Sequence, residues 1–173
     1  LGPDLFISEY IEGSSNNKYV EIYNGSGSTV DLSDYELQLF TNGAASASST
    51  QDLSALSGGP STLAHGGTLV LKNSSAALTL PDGVTAYSSS AVNFNGDDAL
   101  AIYKVSTTSY VDIFGVIGTD PGSDWGSGDT STADKTQRRK TSVSGGVTTN
   151  PASFSTLSTE WDGYAQDTVS GLG

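Results

Sequence analysis

Asn93-Phe-Asn-Gly-Asp-Asp-Ala-Leu-Ala-Ile-Tyr103 decides the fold. Asn95-Gly96 offers the positive φ angles of a two-residue hairpin turn, and Ala99 to Tyr103 continue as a nearly unbroken apolar run. A strand apolar on both faces belongs inside its sheet. Its expected partner is Tyr110-Val-Asp-Ile-Phe-Gly-Val-Ile117, which follows the loop 105–109 and sets Val111 and Ile113 against Asp112 and Phe114.

Working outward, Leu5-Phe-Ile-Ser-Glu-Tyr-Ile11 and Lys18-Tyr-Val-Glu-Ile-Tyr-Asn24 are two β-rich runs separated by a polar, hairpin-like loop. They are expected to pair antiparallel, with Val20 and Ile22 on one face and Tyr19, Glu21 and Tyr23 on the other. Tyr35-Glu-Leu-Gln-Leu-Phe40 alternates cleanly, so Tyr35, Leu37 and Leu39 should face the core. Residues 41–62 carry almost no bulky apolar side chain and read as a long surface loop or weak edge. Thr68-Leu-Val-Leu-Lys72 is another strand apolar on both faces. Residues 118–134 have no strand period and read as a long structured loop. Lys135-Thr-Gln-Arg-Arg-Lys-Thr141 reads as a final strand, with Arg138 and Lys140 on one face and Arg139 on the other. Eight to ten short strands, with no amphipathic helical period and no repeat, predict an all-β antiparallel sandwich forming one domain over residues 1–173.

Seven Lys and Arg against nineteen Asp and Glu give a formal charge of −12. Such a balance repels phosphate backbones and anionic lipid, so nucleic acid is not the expected partner. No run reaches the roughly 18 apolar residues of a membrane helix, so no membrane association is expected. The absence of cysteine rules out disulfides and zinc–thiolate sites. No methionine occurs, even at position 1, and no signal peptide heads the chain. The chain therefore reads as a processed product or an excised piece. Its richness in Gly, Ser and Thr suggests an exported bacterial module.

The sequence offers little catalytic chemistry. There is no Gly-x-Ser-x-Gly motif and no phosphate cradle, and the single histidine, His65, lies in a Gly-rich turn. Loop carboxylates are what calcium requires, which makes Asp97, Asp98, Asp120 and Asp124 the candidate calcium ligands, although no calcium-loop spacing is met. They serve equally as turn and capping residues. Trp125 and Trp161 are candidates for stacking on a sugar or a partner, or for closing the edge of the sandwich. Glu21 on its strand is expected to pair with Arg139.

In order and spacing, several segments resemble the lamin tail domain as found in bacterial extracellular proteins. They are Leu5-Phe-Ile-Ser-Glu9, Val20-Glu-Ile-Tyr-Asn24, Val30-Asp-Leu-Ser-Asp-Tyr35, Asn95-Gly-Asp-Asp-Ala-Leu100, Gly115-Val-Ile-Gly-Thr-Asp-Pro-Gly122 and Thr136-Gln-Arg-Arg-Lys140. The resemblance implies an immunoglobulin-like sandwich with no catalytic residue to carry over. It also implies an accessory module fused to secreted or surface enzymes such as nucleases and phosphatases. The expected function is therefore non-enzymatic binding or adhesion at the bacterial cell surface or outside the cell. The expected partners are an attached enzyme domain of the same polypeptide and a protein or polysaccharide ligand. A small calcium-dependent secreted hydrolase and a carbohydrate-binding module are the alternatives.

Overall fold

The computed structural model describes residues 3–173 as twelve strands, one short α-helix and two short 3-10 helices. In chain order the strands are β1 (Leu5–Glu12), β2 (Lys18–Asn24), β3 (Val30–Asp31), β4 (Tyr35–Phe40), β5 (Ser49–Asp52) and β6 (Thr62–Leu63). They continue with β7 (Thr68–Lys72), β8 (Ala86–Ser88), β9 (Ala99–Lys104), β10 (Ser109–Phe114), β11 (Thr136–Arg139) and β12 (Trp161–Tyr164), with helix α1 at Thr156–Glu160. A six-stranded sheet runs β12-β11-β1-β2-β7-β8, a four-stranded sheet runs β10-β9-β4-β5, and β3 and β6 form a small ribbon. All pairings are antiparallel except β7 with β8. The fold is an immunoglobulin-like β-sandwich. Among the described residues no helix is long and apolar enough to cross a membrane.

The period-two pattern explains the core. Tyr35, Leu37 and Leu39 of β4 point inward with Leu100 and Ile102 of β9, meeting Leu5, Ile7, Val20 and Ile22 from the facing sheet. Strand β9 is internal to its sheet, flanked by β10 and β4, as its apolar run requires. Each outer face carries a smaller apolar cluster. Ile11, Tyr19, Val70 and Ala76 are covered by Leu172 near the C-terminal end, while Phe40, Ala99, Ala101 and Ile113 lie under Val147 and Ile117.

Several expectations are corrected. The Asn95-Gly96 segment is not a hairpin turn: no strand leads into it, and neither residue has a positive φ. Gly96 is needed for closeness instead, because a Cβ there would stand 2.8 Å from the Cα of Ala133. Val111 does not simply share a face with Ile113, because a register shift between Tyr110 and Asp112 places Val111 with Phe114 in the central core. Nor is the basic segment the last strand, since β12 pairs outside β11.

The second register shift organises the sandwich. Strand β1 shifts register between Ile7 and Glu9, leaving Ser8 as the extra residue. The shift exchanges faces, so Leu5, Ile7 and Tyr10 point inward while Glu9 lies opposite Glu21. The Ile7 N–H donates to Asp112 Oδ2 at 2.8 Å, and the Ile7 carbonyl accepts from Arg139 Nη1 at 2.9 Å. Between them Arg139 forks onto Asp112, with Nη1–Oδ2 at 2.6 Å and Nη2–Oδ1 at 3.3 Å. This buried ion pair joins the two sheets. The expected Glu21–Arg139 pair is therefore replaced: Glu21 accepts from Ser8 Oγ at 2.7 Å and from the Gly173 N–H at 2.6 Å.

Candidate functional site

The aspartates that the sequence offers for calcium lie where the 93–98 turn meets the 118–134 loop. Asp98 is buried, and its two carboxylate oxygens accept the N–H groups of Asn42 and Asn95, each at 2.9 Å. The Trp125 indole N–H donates to the Asp98 carbonyl at 2.9 Å, and Thr132 Oγ1 donates to the Gly96 carbonyl. These bonds staple the loop to the strand entry.

Asp97 has a carboxyl pushed above its usual range, first by burial and then by the neighbouring charge of Asp98, with Asp120 adding to it. Its Oδ1 is buried without a partner, as is the hydroxyl of Tyr10. Asp120 caps its own turn by accepting the Gly122 N–H at 2.8 Å. Asp124 accepts from the hydroxyls of Ser123 and Ser131. Among the described residues no three acidic or histidine side chains converge as a metal's donor set. The expected result is therefore the same melting temperature in chelator and in millimolar calcium. A rise of about 5 °C or more would restore these aspartates as ligands, since about 2.7 kcal/mol accompanies hundredfold saturation and about 2–4 °C per kcal/mol holds at this size.

Both tryptophans point inward. Trp125 is 6 % exposed and packs edge-on against Phe154 with ring centroids 6.0 Å apart. Trp161 is 2 % exposed, set edge-on to Phe114 at 5.2 Å, with the Arg139 guanidinium 4.8 Å from its ring centre. Neither offers a ring face to a sugar in this conformation. Their visible role is to close the sandwich.

Two surface depressions are shallow and lined by turn and strand residues. One of about 510 Å³ beside β10 is lined by the Asp4–Lys104 pair, Tyr110 and the 144–148 segment. A smaller one of about 400 Å³ is lined by Phe6, Tyr23, His65 and Lys140. There His65 Nδ1 accepts the Gly27 N–H at 3.0 Å, a turn contact.

Two features carry no sequence motif. One is the Asp112–Arg139 pair, whose signal is a lone carboxylate inside the apolar strand Val111-Asp-Ile-Phe114. The other is a row across the outer face of the four-stranded sheet, where Asp52 of β5 stands opposite Glu36 of β4, then Tyr103 of β9 and Tyr110 of β10. The tyrosine rings meet edge-on at 5.5 Å. The alternation of Tyr35 to Phe40 put Glu36 outside but could not supply its neighbours.

A family model described as the lamin tail domain matches residues 2–118. No curated protein and no solved structure matches the chain.

Proposed function

The chain belongs to the lamin tail domain family, a family of non-catalytic immunoglobulin-like domains, and from that premise we propose that it is a binding and adhesion module of a secreted or surface-exposed bacterial multidomain protein. Its work is to position an attached enzyme, such as a nuclease or phosphatase, against a protein or polysaccharide. The observation that carries this reading is how the ionisable groups are used. Six of the seven Lys and Arg side chains lie within 4.0 Å of the protein's own carboxylates, and the single histidine is held in a turn. Charge so committed organises a scaffold, and the hydroxyls that meet carboxylates, such as Ser8 on Glu21 and Ser131 on Asp124, lie in a strand bulge and a loop. The formal charge of −12 directs the module away from nucleic acid.

The test is alanine replacement of Asp97, Asp98, Asp120 and Asp124, read by turnover and by melting. The purified domain is expected to hydrolyse no phosphodiester, phosphomonoester or glycoside, with or without calcium. The variants should lose only stability. The largest share comes from Asp98→Ala, about 2–3 kcal/mol, because two backbone N–H groups lose their acceptor. Calcium-dependent turnover that the quadruple variant abolishes would overturn the module reading in favour of a small hydrolase.

A further inference from the structure

We propose that the row Asp52, Glu36, Tyr103, Tyr110 on the outer face of the four-stranded sheet is a docking strip for an arginine-rich, extended segment of another polypeptide. The proposal deepens the binding-module reading by naming the face and the partner chemistry, and it rests on that reading.

Glu36 and Asp52 are Cα partners on adjacent strands, and like charges directly opposite each other destabilise a sheet. Among the described residues no cation is offered to them. Neither carboxylate lies within ion-pair distance of a base, and six of the seven bases are committed elsewhere. The remaining one, Lys72, belongs to β7 of the other sheet. Asp52 spends one oxygen on the N–H and hydroxyl of Ser54, whereas the half-buried Glu36 carboxylate makes no hydrogen bond among the described residues. Two unneutralised carboxylates thus sit side by side on a sheet face in a protein that had cations to place.

The same row continues into two half-buried tyrosines, set edge-on to each other. A guanidinium forks onto carboxylates and also stacks on aromatic faces, whereas an ammonium is a point charge. Carboxylates and tyrosines in one line therefore favour arginine over lysine. The overall charge of −12 steers such a segment in.

The test titrates a labelled oligo-arginine peptide, and separately oligo-lysine, with the domain at low salt, read by fluorescence anisotropy. The wild-type domain is expected to bind oligo-arginine more tightly than oligo-lysine. Glu36→Gln with Asp52→Asn should weaken oligo-arginine binding about tenfold while the melting temperature holds or rises, because a repulsion is removed. Asp82→Asn with Asp129→Asn, which changes net charge equally at exposed positions elsewhere, should weaken it less than about twofold. Tyr103→Leu should erase the preference for arginine. The strip is overturned if the wild type does not bind, if the strip variant binds as the wild type does, or if the control variant loses as much. Any of these leaves the module reading to its own turnover test.

Discussion

Replacing Asp112 by alanine is expected to destabilise the protein by about 3–5 kcal/mol, the range for removing one partner of a buried ion pair. The size follows from what the carboxylate holds. Its two oxygens accept from both terminal nitrogens of Arg139, from the Ile7 N–H and from the Val147 N–H. Alanine would leave a guanidinium with 2 % side-chain exposure without its counter-charge and two N–H groups without their acceptor. The rings of Phe6 and Trp161, 5.5 and 4.8 Å from that guanidinium, soften the loss without replacing a charge. Glu160 approaches Arg139 Nε only to 3.9 Å, too far to take over. Against a total stability of about 5–15 kcal/mol, such a loss is a large fraction. Chemical denaturation checks it, and a loss below about 1 kcal/mol would show that the pair is dispensable. Asp112→Leu with Arg139→Met should recover part of the deficit, because the orphaned charge leaves with its partner while the two N–H groups stay unpaired.

The second large effect is expected at Glu9, and it depends on pH. Glu9 is 1 % exposed, and its carboxyl is pushed up from 4.5 to about 7. Burial is the main cause. Arg138 opposes it through a loose contact, Nε to Oε2 at 3.5 Å, while Glu21 on the neighbouring strand adds repulsion. Asp162 lies one strand beyond, opposite Arg138. A carboxyl whose pKa is raised on folding binds its proton more tightly in the native state. Its stabilising contribution is therefore fully present below about 4.5 and is lost as pH rises through about 7. Glu9→Gln keeps the shape and stays neutral, so it should match the wild type near pH 5 and exceed it by about 2–3 kcal/mol near pH 8. Denaturant midpoints at the two pH values decide. A variant equally destabilised at both would mean that Glu9 works as a charged partner of Arg138.

Much of the fold was legible because period-two patterns report which side of a strand is apolar. The inward face of β4 followed from alternation, the internal place of β9 from its unbroken apolar run, and the β1–β2 hairpin from two β-rich runs about a polar loop. The partner of Arg139 did not. In Gln137-Arg-Arg-Lys140 both faces carry charge, so alternation separates Arg138 from Arg139 without saying which points inward. The Ser8 bulge compounds this, since one extra residue moves Glu9 and Tyr10 to opposite faces and has no composition signal. Asn95-Gly96 misled for another reason. Its residues suit a turn, but Gly96 answers to Ala133, a neighbour 37 positions along the chain. For the candidate site, the aspartates and tryptophans were visible as residue types. Only the three-dimensional fold shows that Asp98 caps backbone groups and that both indoles face inward.

Strand β1 lies between β2, which follows it within a few residues, and β11, which pairs Glu9 with Arg138 and Ile11 with Thr136. During synthesis one side of β1 is therefore satisfied early, while the other waits for more than a hundred further residues. In that interval it presents an open row of backbone donors and acceptors, the kind of edge that recruits other chains. The segment matched by the family model ends at residue 118, before that edge is closed. A nascent chain of that length is incomplete as a folding unit, and commitment to the native state depends on the arrival of the Thr136–Arg139 strand. Pairing over so long a loop also makes refolding slow relative to a protein of local contacts.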